Sequence, residues 1–114
     1  ERGRGRIVSG DRVLACFAPD ASYLPAYGPE PLGAECRGHA AIRAAIEEGF
    51  RAWPGGNTVV TSTLLAGERG LAQWYFEFTD PEGRSTRVHG CDAYEFRGGK
   101  VRVKNSYVKQ YVPG

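Results

Sequence analysis

The spacing of apolar residues changes near Asn57 and divides the chain into a helical part and an extended part. Before that point, residues 39–53 carry apolar side chains at helical spacing, which predicts a helix with one buried stripe. The stripe consists of Ile42, Ile46, Phe50 and Trp53. After it, apolar and polar residues alternate, which predicts strands at residues 58–66, 71–79, 85–96 and 101–111. Because short Gly- or Pro-containing segments connect these strands, we expect an antiparallel meander.

The N-terminal part is less regular. Residues 1–10 are rich in Gly and Arg and predict no more than a short helix, and a second helix over residues 12–17 should end before Pro19. Residues 21–27 predict a short strand at the edge or end of a sheet, because they contain Pro25. Residues 28–38 predict a loop. Helices followed by a sheet indicate an α+β fold, which we expect to form a single domain over residues 1–114.

One strand position does not fit a simple core. On the strand of residues 85–96, Asp92 shares a face with Val88, Gly90, Tyr94 and Phe96. An ionised carboxylate that faces a core is costly unless it is paired, hydrogen-bonded or protonated. Asp92 is therefore the leading candidate for a functional residue.

The partner of Asp92 depends on the turn at Gly98-Gly99. A two-residue turn sets Asn105 opposite Asp92, whereas a three-residue turn with a bulge sets Lys104 there. Apolarity favours the first register, and compensation of the carboxylate favours the second. In the first register the residues that face the core are Val101, Val103, Asn105 and Tyr107. In the second register they are Arg102, Lys104, Ser106 and Val108. The pattern leaves both registers open.

Composition adds few constraints. The chain has 114 residues, of which 41% are apolar and 25% charged, and a net charge of +2, as expected for an ordinary soluble domain. Nothing in this balance indicates a nucleic acid or an acidic membrane as partner. There is no signal-peptide pattern and no apolar run long enough to cross a membrane. The basic cluster in residues 2–6 is expected to be a solvated end.

The cysteines and histidines are expected to be structural. Three cysteines without a CxxC spacing predict a reduced, cytoplasmic protein in which Cys16, Cys36 and Cys91 pack as small hydrophobes. His39 opens the long helix, and His89 lies on the strand face opposite to that of Asp92. Neither histidine has a second ligand at suitable spacing, so we expect no metal site.

Three stretches, taken in order, resemble the nuclear transport factor 2-like superfamily, in its SnoaL-like and ketosteroid-isomerase-like branch. They are GDRVLACFAPDASY, RGHAAIRAAIEEGF and HGCDAYEFRGGKVRVKNSYVK, and they cover most of residues 10–109. The resemblance implies a cone in which a curved antiparallel sheet wraps over N-terminal helices and encloses an apolar pocket. It also implies a homodimer through the outer face of the sheet. The first helix of this family is longer than residues 1–9 allow.

The resemblance carries over unevenly to single residues. Asp92 falls where ketosteroid isomerases keep the aspartate that binds an oxyanion. The general base of those isomerases falls on Pro25, the tyrosine of their long helix falls on Ile46, and their first-helix tyrosine falls near Gly3. One of four groups is kept, so steroid isomerisation by that mechanism is not expected.

The resemblance also places Lys104 and Ser106 in the cavity, which favours the bulged register. We predict Asp92 and Lys104 as an acid–base pair at the pocket floor, because burial disfavours the ionised carboxylate while a neighbouring ammonium favours it. Side chains predicted to bind substrate are Tyr23, Tyr27, Trp53, Trp74, Phe76, Phe78, Val88, Tyr94 and Ser106.

Two functions are compatible with these residues. The first is an enzyme without a cofactor that performs acid–base isomerisation, cyclisation, dehydration or hydrolysis on an apolar, oxygen-bearing molecule. The second is a non-catalytic homodimer that binds a hydrophobic ligand or serves as an accessory subunit, with Asp92 and Lys104 as a structural ion pair. The polar pair in an aromatic pocket favours the enzyme, and the three lost isomerase groups favour the alternative.

Overall fold

The computed structural model describes residues 12–110. The basic cluster of residues 2–6, the possible first helix and Tyr111 lie outside these residues. Residues 12–15 are helical. The elements that follow are β1 (Phe17–Leu24), β2 (Cys36–Arg37), α1 (Gly38–Ala52), β3 (Asn57–Ala66), β4 (Arg69–Thr79), β5 (Ser85–Arg97) and β6 (Lys100–Val108).

All six strands form one sheet in the order β2-β1-β6-β5-β4-β3. Strands β3 to β6 make the predicted antiparallel meander. The prediction of a fully antiparallel sheet was wrong, because β1 runs parallel to β6. No hairpin joins these two strands: α1 and the whole meander lie between them in the chain, so their direction is set by a long crossover. The fold is therefore α+β with a mixed sheet.

The region around Pro19 differs from the sequence prediction. The helical residues end at 15, and β1 begins at Phe17, four positions before the predicted strand. Pro19 lies inside β1, where the pairing with β6 slips between Phe17 and Ser22. Because the ladder is interrupted there, the missing N–H of proline does not remove a regular strand bond.

The predicted helix is confirmed as α1, and its first turns build the core. Ile42 is 1% exposed and packs in a cluster of buried residues that also contains Leu14, Phe17, Ala18, Ala21 and Val101. His39 Nε2 lies 3.0 Å from the Phe17 carbonyl oxygen, so its imidazole ties α1 to β1. The apolar stripe becomes exposed toward its C-terminal end at Phe50 and Trp53.

The turn between β5 and β6 follows the first of the two predicted registers. Arg97 pairs with Lys100, which leaves a two-residue turn at Gly98-Gly99. Both glycines have positive φ angles, of 60° and 79°. A two-residue hairpin of this kind requires positive φ at both central positions, which explains the paired glycines.

One residue later the ladder changes register. Phe96 pairs with Val101, whereas Glu95 pairs with Val103, so Arg102 is an additional residue in a bulge on β6. Beyond this bulge, Asp92 is opposite Ser106, and neither Asn105 nor Lys104. We call the face of the sheet that carries Asp92 and the buried Val101 its inner face, and the opposite face its outer face. On β6, the inner face contains Val101 from the first predicted register and Lys104, Ser106 and Val108 from the second.

The cysteines, the helices and the groups that could bind a metal ion complete the description of residues 12–110. The three cysteines are free, and Cys16 is exposed, so the expectation of a packed thiol was wrong there: it lies just before β1 rather than inside a helix. Within residues 12–110 no helix is long and apolar enough to cross a membrane. The same residues contain no cluster of His, Cys, Asp and Glu suited to a metal ion.

Candidate functional site

Asp92 lies in the middle of the inner face of β5, between Ala72 on β4 and Ser106 on β6, and is 5% exposed. Ser106 Oγ donates a hydrogen bond of 2.6 Å to Oδ1. Lys104 Nζ donates one of 2.8 Å to Oδ2, and the Tyr94 hydroxyl donates one of 3.2 Å to the same oxygen. Three side-chain donors therefore converge on the two oxygens of one carboxylate.

Lys104 lies between two tyrosine rings. It pairs with Tyr23 across the parallel β1–β6 ladder and with Tyr94 across the antiparallel β5–β6 ladder. Its Nζ is 5.2 Å from the Tyr23 ring centroid and 5.8 Å from that of Tyr94, within the range of cation–π attraction. The aromatic faces and the carboxylate together hold the ammonium in one place.

Both tyrosines are neutral at ordinary pH. Burial, followed by the negative charge of Asp92, raises the pKa of Tyr94 well above its usual value. Burial is also the main cause that raises the pKa of Tyr23, and a hydrogen bond with Ser106 offsets part of this rise. Neither phenol adds negative charge to the site.

An aromatic wall continues from this polar group along β4. Trp74 lies opposite Gly90, and Phe76 lies opposite Val88. A Cβ added to Gly90 would lie 2.6 Å from Trp74 Cη2, so the glycine makes room for the indole. Trp74 Nε1 is buried and has no hydrogen-bond partner among residues 12–110.

A second aromatic cluster joins α1 to the sheet. The Trp53 ring centroid is 4.5 Å from that of Phe78 and 6.5 Å from that of Phe76. Trp53 follows the last residue of α1, so the helix end brings it to β4. Trp53 is nevertheless 46% exposed, which leaves one side of this cluster open.

The structure brings five of the candidate site residues together. Lys104, Ser106 and Tyr94 donate hydrogen bonds to the Asp92 carboxylate, and Tyr23 lies beside Lys104. Trp74, Phe76, Phe78 and Val88 lie on the same face of the sheet, and Trp53 contacts two of them. The prediction that Tyr27 lies on a strand was wrong, because β1 ends at Leu24. It is 64% exposed in the loop that follows.

The outer face of the sheet carries features that the sequence interpretation did not assign. His89 faces outward as predicted, and its ring centroid lies 5.6 Å from that of Tyr75. The Arg87 guanidinium covers the same tyrosine ring at 4.2 Å. Beside them lies an open groove of about 350 Å³, bordered by Gln73, Cys91 and Tyr107. The only sequence signal for this groove was the small side chain of Cys91 in the middle of a strand.

A family model covers most of the chain. It is described as "SnoaL-like domain" and matches residues 4–103. None of the curated proteins matches the chain at the sequence level.

Several solved structures share the fold. TerC, co-crystallised with polyporic acid, is 20% identical, with 91% of this chain and 82% of that chain covered and a TM-score of 0.76. A putative SnoaL-like polyketide cyclase from Jannaschia sp. CCS1 is 14% identical, with 88% and 72% covered and a TM-score of 0.74. An NTF2-like protein of unknown function from Exiguobacterium sp. 255-15 is 14% identical, with 95% and 89% covered and a TM-score of 0.77. At these identities the likeness shows the fold alone.

Proposed function

The chain belongs to the SnoaL-like domain family of the NTF2-like superfamily, and we propose that it is an enzyme that acts on a small molecule without a cofactor. The reaction is acid–base isomerisation, cyclisation, dehydration or hydrolysis of an apolar, oxygen-bearing substrate. The observation that supports this proposal is the buried Asp92 carboxylate, which three donors hold on the aromatic inner face of the sheet. Acid–base catalysis requires such a fixed titratable group within hydrogen-bond reach of the substrate.

The roles follow from the three hydrogen bonds. Asp92 is the acid or base, and Lys104 and Ser106 fix its two oxygens by the shorter bonds of 2.8 and 2.6 Å. The hydrogen bond from the Tyr94 hydroxyl to Asp92 Oδ2 is the longest of the three, at 3.2 Å. When this phenol rotates away, the substrate takes its place at Oδ2. The released phenol is then free to donate to an oxygen of the substrate.

The relatives support the choice of substrate class. One structural neighbour is a putative polyketide cyclase, and another was crystallised with polyporic acid. Both point to oxygen-rich cyclic molecules as the first compounds to test. In this chain the flat walls provided by Trp74 and Phe76 are suited to such a body.

A non-catalytic role is the second candidate, and one observation favours it. The described contacts of Asp92 already satisfy both of its oxygens, as in a structural ion pair that fixes strand register. In that case the protein binds a hydrophobic ligand, or serves as an accessory subunit, and Asp92 contributes only to stability.

The Asp92→Asn variant separates the two. Turnover of a panel of cyclic enones, enols and polyporic acid is measured for this variant and for Glu95→Gln. Glu95 is the matched control, because it lies on the same strand and pairs with Arg102 of β6 on the other face. We expect Asp92→Asn to lose at least ~100-fold in kcat with a modest change in melting temperature, and Glu95→Gln to keep its activity. Turnover retained in Asp92→Asn contradicts the catalytic proposal.

We further propose that the protein is a homodimer through the outer face of the sheet. Leu64, Leu71 and Tyr107 are exposed, and their strand partners place all three on that face. Of these three residues, Tyr107 also borders the groove of about 350 Å³, which a second copy would fill. An isologous contact of two such faces buries both apolar surfaces at once.

A further inference from the structure

We propose that Lys104 is the group that binds the substrate's oxygen, and that the substrate is a planar, conjugated carbonyl compound bound most tightly as its enolate. This inference rests on the proposed function, since it concerns the same site. Asp92 then has a second role, because its carboxylate positions the ammonium.

The carboxylate faces the protein. Both oxygens of Asp92 accept hydrogen bonds from side chains, and its side chain is 7% exposed. The side chain of Lys104 is 24% exposed, more than three times as much. Lys104 is therefore the more accessible member of the ion pair.

The ammonium has a spare donor. One of its three N–H groups goes to Asp92 Oδ2 at 2.8 Å, and a second, weaker contact goes to Ser106 Oγ at 3.4 Å. Among residues 12–110, the third N–H has no acceptor within hydrogen-bond distance. An ammonium carries three donors and no acceptor, so this N–H is available to an oxygen of a ligand.

The surroundings favour an oxygen that carries negative charge on a flat molecule. The ring centroids of Tyr23 and Tyr94 lie 5.2 and 5.8 Å from Nζ, so a ligand that reaches the ammonium contacts aromatic surface, which suits a flat molecule. Both phenols stay protonated because burial raises the pKa of each, so they do not repel an anion. The enolate therefore binds more tightly than the neutral carbonyl, because its full negative charge attracts the ammonium more strongly than the carbonyl dipole does.

Two small probes test this class directly. In 4-hydroxycoumarin the enol is ionised at neutral pH, whereas coumarin has the same rings and no acidic hydroxyl. Isothermal titration calorimetry gives the affinity of each. We expect the native protein to bind 4-hydroxycoumarin about tenfold more tightly than coumarin, because only 4-hydroxycoumarin carries a negative charge that the ammonium attracts. Equal affinities, tighter binding of coumarin, or no binding of either compound overturns the proposal.

Variants of the ion pair give opposite results. Lys104→Gln should lose the preference for 4-hydroxycoumarin, and Lys104→Arg should keep most of it. Asp92→Asn should increase the preference, because the cation then lacks its compensating charge. If Asp92→Asn removes the preference instead, the carboxylate is the ligand contact and the assignment to Lys104 is wrong.

Two further variants separate a loss of binding from a loss of folding. The double variant Asp92→Asn with Lys104→Gln replaces the pair by two neutral side chains of similar shape, and it should bind both coumarins alike. Glu95→Gln on the outer face should bind as the native protein does. These binding measurements need no turnover. A protein that prefers 4-hydroxycoumarin but has no activity would therefore support the role of Lys104 and contradict the proposed catalytic function. Activity that depends on Asp92, without any preference between the coumarins, would support the catalytic function and contradict the role of Lys104.

Discussion

The Lys104 ammonium lies 2.8 Å from Asp92 Oδ2 although the two residues are not opposite each other in the β5–β6 ladder. Asp92 is opposite Ser106, and Lys104 is opposite Tyr94, so the ion pair crosses the ladder on a diagonal. Long side chains reach diagonal neighbours on one face of a sheet. This arrangement lets a cation, a hydroxyl and a phenol converge on one carboxylate.

Removal of the carboxylate charge should reduce stability moderately. In Asp92→Asn the ammonium loses its counter-ion, and the hydroxyl of Ser106 must find a new acceptor geometry. Because the side chain of Lys104 is partly exposed and can turn to water, we expect a loss of about 1–3 kcal/mol in the free energy of unfolding. Urea denaturation measures it. Glu95→Gln, at a more exposed ion pair, should change it by less than about 1 kcal/mol. A larger loss in Glu95→Gln than in Asp92→Asn would contradict the burial described for the site.

Alkaline pH should destabilise the fold through Tyr94. Its pKa is raised in the folded state, so the folded protein holds this proton more strongly than the unfolded chain does. The contribution to stability is complete below about pH 10, the unfolded value, and falls as the pH rises above it. Denaturation midpoints at several alkaline pH values should therefore fall more steeply in the native protein than in Tyr94→Phe. Tyr27→Phe, which removes an exposed phenol, should retain the native slope. A Tyr94→Phe slope as steep as the native one would refute this linkage.

Two glycine substitutions should have opposite signs. At Gly90 a Cβ would lie 2.5 Å from the Tyr107 carbonyl oxygen and 2.6 Å from Trp74, so Gly90→Ala should lose about 1–3 kcal/mol by overpacking. At Gly49, inside α1, the added Cβ would meet no heavy atom within 4 Å apart from its chain neighbours and the backbone of its own helix. Gly49→Ala should gain about 0.5–1 kcal/mol, because alanine is the better helix former. Thermal unfolding of both variants checks the pair, and stabilisation by Gly90→Ala would show that the indole does not cover that strand.

The outer face should control assembly. Leu71→Asp places a charge in the apolar surface of β4, whereas Leu32→Asp places one in an exposed loop. Sedimentation equilibrium should give a dimer for the native protein and for Leu32→Asp, and a monomer for Leu71→Asp. A native protein that is monomeric at micromolar concentration, or a dimeric Leu71→Asp, would eliminate this interface.

Local patterns predicted the elements more reliably than their arrangement. The meander and α1 follow from apolar periods of about 2 and 3.6 residues, and their predicted bounds agree with the structure to within about three residues. The parallel contact of β1 with β6 has no local signal, because the two strands are far apart in the chain. The proximity of Tyr23 to Lys104 depends on that contact, and sequence alone could not give it.

The hairpin register shows why one criterion was insufficient. Apolarity and charge compensation favoured different registers, and each governs one part of β6. Near the turn Val101 enters the core, and after the bulge at Arg102 the strand presents Lys104 and Ser106 to Asp92. A bulge changes the face of every later residue without moving the turn, so both requirements are met on one strand.

The most direct test of the site is the turnover of the double variant Asp92→Asn with Lys104→Gln. Neutral replacement of both partners leaves neither charge uncompensated, so the melting temperature should stay close to the native value. If the pair is functional, this folded variant should have lost turnover on every compound that the native protein converts. A folded double variant with native turnover would show that the pair serves only the structure.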